Sequence, residues 1–299
     1  MSILIDQKTV CLIQGITGKE GSRVAANMAA YKTKVVAGVT PGKGGQEVDG
    51  VPVYNTVAEA LAKHPQINAT GVYVPPFAVL SAVEEALANE IKLIHIIAEH
   101  VPIKDTALII AKAKVKGAQV IGPSSIGLIS PGKAKVGSIG GADAERAFGP
   151  GKIGVISKSG GMSSEVSWLL KKNGFGQSTV VGIGGDILAA TTFADLLPLF
   201  AEDQETEAVV MVGEFGGTYE EDAADYLKKT NFAKPVVAFI SGLFAESLPQ
   251  GIALGHAGAI IEGGKGTRKA KVEALEAAGV SIAKIPTEIP ELLKEKLGS

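Results

Sequence analysis

Val10-Cys11-Leu12-Ile13-Gln14-Gly15-Ile16-Thr17-Gly18-Lys19-Glu20-Gly21 passes from an apolar run through a glycine loop into a helix, and that order decides the fold. Val10 to Gln14 is strand-like, and glycines at 15, 18 and 21 let the backbone turn tightly before the helix begins. A helix start presents unpaired N–H groups and the positive end of its dipole, which suits a phosphate. Working outward, Lys34 to Val39, Gly71 to Val74, Leu93 to Ala98 and Ala118 to Ile121 repeat the β-branched run, with amphipathic stretches such as Val57 to Lys63 between them. Each connection is long enough for a helix, so the strands are expected to be parallel and covered on both faces. The result is a doubly wound α/β sheet reaching to about Gly122.

A chain of 299 residues exceeds the usual size of one domain, so two are expected. Only 5% of the residues are aromatic, which leaves Ala, Val, Ile and Leu to build the cores. The formal net charge of −2 gives no general attraction to nucleic acid or to an anionic membrane. The single Cys11 lies in an apolar run, where a core thiol is expected, and one cysteine forms no internal disulfide. No run is long enough to span a bilayer, and the chain is read as cytoplasmic. Pro131-Gly132, Gly140-Gly141 and Gly149-Pro150-Gly151 concentrate breakers between 131 and 150, which is expected to be a linker. A second βα series follows in Ile153 to Ile156, Thr179 to Ile183, Ala208 to Val212, Pro235 to Ile240 and Val280 to Ala283, in flavodoxin-like style. The expected division is therefore 1–130, a linker at 131–150, and 151–299.

The first-domain loop has the spacing G-x-x-G-x-x-G, near a dinucleotide fingerprint, but glycines alone are weak evidence. The end of the second strand is more informative, because an NAD site wants a carboxylate there for the ribose diol. Here that position reads Val39-Thr40-Pro41-Gly42-Lys43-Gly44-Gly45, and Lys43 suits another phosphate. A phosphorylated nucleotide without a nicotinamide is favoured; a solvated lysine on a turn is the plainer reading. Val74-Pro75-Pro76-Phe77 and Ile97-Ala98-Glu99 fall at the carboxyl ends of later strands, where open α/β sheets bind ligands. Glu99 also suits a helix cap. Gly127-Leu128-Ile129-Ser130-Pro131-Gly132-Lys133 begins like a Walker loop, but Ala134 stands where a Mg²⁺-binding hydroxyl is required, so no ATP site is expected there.

In the second domain, Ser157-Lys158-Ser159-Gly160-Gly161-Met162-Ser163-Ser164-Glu165 leads from a strand into a helix and reads either as an anion cradle or as an ordinary N-cap. Glu214, in Val212-Gly213-Glu214-Phe215-Gly216-Gly217, ends another strand; it is a candidate to orient an imidazole or else a solvated or capping carboxylate. Asp186, in Gly182-Ile183-Gly184-Gly185-Asp186, is a pocket wall or a turn residue. The heptapeptide Leu254-Gly255-His256-Ala257-Gly258-Ala259-Ile260 sets one imidazole among residues small enough to leave room for a phosphoryl group. His256 is the candidate reactive centre; a tightly packed structural histidine is the alternative.

Taken in order, Met1-Ser2-Ile3-Leu4-Ile5-Asp6, Gln14-Gly15-Ile16-Thr17-Gly18, the Lys43 turn, Gly182 to Asp186, Gly213 to Gly217 and Gly255 to Ile260 resemble the α subunit of succinyl-CoA synthetase and its relatives across nearly the whole chain. The resemblance implies a Rossmann-like CoA-binding domain followed by a flavodoxin-like ligase domain. It places Thr17, Gly18, Lys19, Glu20 and Lys43 at CoA, and Ile97, Ala98 and Glu99 beside its pantetheine arm. It further implies that His256 is phosphorylated with support from Glu214, that Ser159, Gly160 and Ser164 lie near phosphate or substrate, and that no metal is held by this chain. ATP or GTP with Mg²⁺ would be bound mainly by an ATP-grasp β subunit in an αβ or α2β2 assembly. The reaction would be that of an acid-thiol ligase, passing through an acyl phosphate.

Ser164 stands before Glu165 where succinyl-CoA synthetases usually carry tyrosine. Gly122-Pro123-Ser124-Ser125-Ile126-Gly127 lacks their Asn-Cys-Pro, and Ile187 follows Asp186 in place of proline. Ser159 to Ser163, Val136-Gly137-Ser138-Ile139-Gly140-Gly141 and Ile96 to Glu99 are closer to ATP-citrate lyase and citryl-CoA synthetase. A smaller residue at 164 leaves room for a bulkier acid, so succinate and citrate both stand. A CoA-binding switch protein without catalysis and a Rossmann oxidoreductase are the competing classes; the first needs no reactive histidine and the second needs an acidic residue absent here.

Overall fold

The computed structural model describes residues 2–243 and 266–298. β1 (Val10–Gln14) leads through the glycine loop into α1 (Lys19–Ala30) and β2 (Lys34–Val39). β3 (Glu47–Val48), β4 (Val51–Tyr54), α2 (Val57–Lys63), β5 (Ala69–Val72), α3 (Val79–Ala88), β6 (Leu93–Ile96), α4 (Ile103–Lys116) and β7 (Gln119–Ile121) follow. They form a sheet of order β3-β4-β2-β1-β5-β6-β7, parallel except for the short β3–β4 hairpin. The chain runs outward from β1 to one edge and returns to β5 on the other side of β1, which opens a crevice at the carboxyl ends of β1 and β5. The loops after β1 and β2 both emerge on this carboxyl edge.

The second sheet has the order β14-β13-β12-β10-β11-β8-β9. It is built from β8 (Gly127–Ser130), β9 (Ala134–Gly137), β10 (Pro150–Ser157), α5 (Gly160–Lys172), β11 (Gln177–Gly182), α6 (Phe193–Glu202), β12 (Ala208–Glu214), α7 (Tyr219–Thr230), β13 (Val236–Ser241), α8 (Arg268–Glu276), β14 (Ser281–Ala283) and α9 (Ile289–Leu297). β10 through β14 are mutually parallel, and β8 joins β11 antiparallel. β12 is buried along all its length, as a strand covered on both faces must be. The switch in strand order falls between β10 and β12, so Lys158, just past β10, and Glu214, the last residue of β12, are neighbours before any side-chain argument.

Residues 131–150, expected as a linker, carry β9 and a 3-10 turn at Ala144–Arg146. Their glycines and prolines serve the β8–β9 hairpin and the loop after it, with positive φ at Gly132, Gly137, Gly140 and Gly141. The passage from one sheet to the other lies at residues 122–126. The Walker-like segment is this hairpin, a strand and turn with no helix after it.

The hairpin also joins the sheets. Thr33, just past α1, donates to the Lys135 carbonyl through Oγ1 at 2.9 Å and accepts from the Lys135 N–H at 2.9 Å. The Tyr31 hydroxyl accepts from the Gly132 N–H at 3.0 Å. Lys135 is fully buried and donates to the carbonyls of Ile139 and Gly141; burial brings its ammonium down to about 8. One core cluster accordingly runs from Ile16 and Met28 of the first layer to Leu128, Val136 and Ile156 of the second. No helix among the described residues is long and apolar enough to cross a membrane.

His95, fully buried in β6, makes a second joint: its Nε2 lies 2.9 Å from the Ser125 carbonyl, and its ring packs against Tyr73. Burial outweighs that hydrogen bond and lowers its pKa from 6.5 to about 4. The folded chain thus holds a neutral imidazole that the unfolded chain would protonate more readily. The stabilisation is complete above the unfolded pKa and is lost as pH falls from about 6.5 towards 4, a change of about 3 kcal/mol. Urea unfolding from pH 7 to pH 4.5 is expected to show His95→Gln with a flatter pH dependence than wild type; parallel curves would contradict this.

Candidate functional site

The first cluster is built on the β1–α1 turn. Gly15 has φ +84°, and a Cβ there would sit 2.4 Å from the Tyr73 carbonyl oxygen, so only glycine lets the loop lie this close to the end of β5. Gly18 is the N-cap of α1 and no side chain caps that end. The first-turn N–H groups therefore face the loop without a side-chain acceptor, which fits a phosphate oxygen. Thr17 donates through Oγ1 to Thr40 Oγ1 at 3.2 Å, tying this loop to the one after β2. Asn55 shapes that second loop by accepting through Oδ1 from the N–H groups of Gly42 and Gly44 at 2.9 and 3.0 Å. Lys43 stands exposed at the tip, and Gly18 and Lys19 are exposed beside it. Thr17, Gly18, Lys19 and Lys43 are thus on one edge of the sheet. Glu20 pairs with Arg23 on the outer face of α1, an exposed pair that contributes at most about 1 kcal/mol.

Ile97 and Ala98 are half-buried just past β6, and Glu99 is exposed. α4 is N-capped by Pro102 with no side-chain hydrogen bond, so Glu99 does not serve as its cap. The Ala98 carbonyl accepts from Ser124 N–H at 2.9 Å, and the Ile96 carbonyl from Ser125 N–H at 3.2 Å. Ser125 then donates through Oγ to the Gly182 carbonyl at the end of β11, at 2.5 Å. The connection between the sheets thereby holds the carboxyl edge of the first against that of the second.

The second cluster is at the β10/β12 switch. Ser159 is the N-cap of α5 and accepts from Met162 N–H at 3.4 Å, while Gly160 opens the helix and Ser164 is half-buried in it. The N-cap reading therefore holds, and the same helix start is open to an anion. Lys158 is 4% exposed, with its Nζ 3.3 Å from Glu214 Oε1, 3.7 Å from Glu220 Oε1 and 5.6 Å from the centre of the Tyr219 ring. Glu214 is 7% exposed, which removes the solvated reading. Glu220 accepts the Glu214 N–H at 3.0 Å and pairs with fully buried Lys271, which also donates to the Gly216 carbonyl at 2.7 Å. Gly213 makes this possible, since a Cβ there would lie 2.6 Å from Glu220 Oε1.

His256 and the heptapeptide around it lie outside the described residues, so the distance between Glu214 and His256 is not part of this geometry. Lys158, Glu220 and Lys271 were not assigned roles from the sequence. Lys158 had a signal, an isolated cation between a buried strand and a hydroxyl-rich helix start. Glu220 and Lys271 had none, being surrounded by charges typical of solvated helix faces. Among the described residues no group of three or more His, Cys, Asp or Glu is arranged to hold a metal ion.

The family model of a CoA binding domain matches residues 6–100, and that of a CoA-ligase matches residues 156–281. The ADP-forming succinate–CoA ligase subunit alpha 2 of Archaeoglobus fulgidus is 47% identical over 298 residues, covering 99% of this chain and 100% of that one. An ADP-forming sulfoacetate–CoA ligase subunit of Acholeplasma sp. is 45% identical over 295 residues, covering 99% and 98%. Among solved structures, the ATP citrate lyase of Methanothrix soehngenii in complex with citrate and coenzyme A superposes with a TM-score of 0.90 at 25% identity over 99% of this chain, which spans 50% of that one. With both domain matches in order and full-length relatives at these identities, the chain belongs to the family of ADP-forming succinate–CoA ligase α subunits and their sulfoacetate–CoA ligase relatives.

Proposed function

We propose that this chain is the α-type subunit of an NDP-forming carboxylate–CoA ligase, converting carboxylate, CoA and NTP into acyl-CoA, NDP and phosphate. The observation that carries the reading is Glu214, buried at the carboxyl end of β12 with Lys158 at 3.3 Å, beside the open helix start at Ser159 and Gly160. A carboxylate so held accepts a hydrogen bond from one nitrogen of His256 and leaves the other free to take a phosphoryl group. Lys158 holds that carboxylate by an ion pair at 3.3 Å. The N-terminus of α5 meets the negative charge of the phosphoryl group, and the N-terminus of α1 meets the phosphates of CoA with Thr17, Gly18, Lys19 and Lys43. Glu20, already paired with Arg23, borders that site; Ile97, Ala98 and Glu99 line the path of the pantetheine arm.

His256 takes the γ-phosphoryl group of ATP or GTP and releases NDP. A carboxylate oxygen of the substrate then takes it from His256, giving an acyl phosphate. The CoA sulfur attacks the acyl carbon and phosphate leaves. The nucleotide and its Mg²⁺ are supplied mainly by an ATP-grasp β subunit in an αβ or α2β2 assembly; relatives named as α subunits support such a partner. The acids named for the relatives, succinate and sulfoacetate, each carry a second anionic group beside the activated carboxylate, and we assign this chain a short acid of that kind, succinate first. Citrate is the second reading, favoured by the likeness to ATP citrate lyase and by the small Ser164 near the start of α5.

The test is phosphorylation of the chain with its β subunit and labelled ATP or GTP. Wild type is expected to take an acid-labile label that His256→Ala lacks and that Glu214→Gln acquires about 100-fold more slowly. The acid among succinate, sulfoacetate and citrate that discharges the label with CoA identifies the substrate. No label on wild type with either nucleotide would leave a CoA-binding protein without this chemistry.

A further inference from the structure

Asp186 stands where the two carboxyl edges meet. It follows β11 on a segment pressed against the connection between the sheets: Gly184 has φ +95°, and a Cβ there would lie 2.2 Å from the Pro123 carbonyl oxygen. On its other side that connection is held to Ala98 by the Ser124 N–H. Further along the same loop, Ala190 donates to the Gly122 carbonyl at 2.8 Å, and the Tyr219 hydroxyl accepts from Ala189 N–H at 3.1 Å and donates to the Ile187 carbonyl at 3.4 Å. The loop is thus fixed at both ends of Asp186.

Its carboxylate is only half satisfied. Oδ1 accepts from the Ile187 N–H at 3.2 Å, whereas Oδ2 is buried and has no hydrogen-bond partner among the described residues. A buried polar atom left without a partner is destabilising, so it calls for a ligand or a chemical task. Burial pushes the Asp186 carboxyl above its usual range; the two facing ionisable groups, His100 and Glu99, oppose each other, the first lowering and the second raising it. Both belong to the segment after β6 that carries Ile97 and Ala98. The carboxylate therefore borders the residues assigned to the pantetheine arm, whose far end carries the thiol. Glu214 is engaged with Lys158, and Glu99 is exposed, so neither combines enclosure with an open acceptor here.

We propose that Asp186 is the catalytic base for the last step of the reaction, accepting on Oδ2 the thiol proton of CoA as the sulfur attacks the acyl phosphate. The S–H bond breaks and its proton goes to Asp186; the S–C bond forms; the C–O bond to phosphate breaks, and its electron pair leaves with inorganic phosphate. Protonated Asp186 then returns its proton to water, or in the reverse direction to the departing sulfur. A half-buried carboxyl with raised proton affinity is better matched to a thiol of pKa about 8.5 than an exposed one. The proposal rests on the CoA-ligase reading.

Asp186→Asn, which keeps shape and removes the base, separates the steps when assayed in the complete assembly with the β subunit. Expected results are an unchanged rate of His256 labelling, unchanged CoA affinity by calorimetry, and unchanged formation of hydroxamate when hydroxylamine replaces CoA, since hydroxylamine attacks the acyl phosphate without a thiol to ionise. Acyl transfer to CoA is expected to fall about 100-fold or more. It should recover as pH rises through the ionisation of the thiol, while wild type levels off at lower pH. Acyl transfer to CoA at the wild-type rate would overturn the proposal, as would equal losses of hydroxamate and thioester, which mark a structural role. If wild type takes no label on His256, the ligase reading fails, and the proposal falls with it.

Discussion

Four charges buried at the β10/β12 switch point hold the second domain's candidate site in place. Lys158, Glu214, Glu220 and Lys271 are each less than a tenth exposed and form a chain of ion pairs, Lys158 with Glu214 and Glu220, and Glu220 with Lys271. Removing such ions from water costs several kcal/mol apiece, and the cost is offset only when each finds good partners. That condition constrains the backbone. Ser157 must register with Val212, so that the Lys158 N–H reaches the Val212 carbonyl at 3.0 Å, and position 213 must lack a Cβ so that Glu220 can approach. The exposed pairs of the first domain carry no comparable constraint: Glu20–Arg23 can be lost at a cost near that of an ordinary surface substitution.

The same logic joins the two halves. α1 begins at the glycine loop assigned to CoA and ends at Tyr31 and Thr33, which grip the β8–β9 hairpin of the other sheet. His95, Ser124 and Ser125 tie the two carboxyl edges together at the segment after β6. A ligand lying along the first domain from the α1 start towards Ala98 would therefore end beside Asp186 and within the same ring of loops as Lys158. The two carboxyl edges are held together by the short connection at 122–126, whose Ser124 and Ser125 N–H groups bond to the Ala98 and Ile96 carbonyls.

Much of this was legible in the sequence. The runs at Val10–Gln14 and Lys34–Val39 and the helix at Val57–Lys63 are found with those bounds, because strict periodicity and flanking turn residues mark them. The hairpin strands β3, β4, β8 and β9 were missed: two to four residues are too few for a pattern, and the turn glycines around β9 read as a linker. The glycine loop before α1 was legible because a helix start after a strand is a local signal. Lys158, Glu220 and Lys271 were not, since what buries them is the pairing of elements remote in sequence. Asp186 was visible as a residue of interest, but its unsatisfied oxygen belongs to tertiary packing alone.

If Lys158 sets the proposed role of Glu214 at His256, the rate of His256 phosphorylation will respond to Lys158→Met and Lys158→Arg, compared at temperatures where circular dichroism shows both folded. A loss of about 100-fold is expected in Lys158→Met, where two buried carboxylates lose a shared cation, and recovery of most of the rate in Lys158→Arg. Phosphorylation at the wild-type rate in folded Lys158→Met would contradict it, as would a loss that Lys158→Arg does not repair.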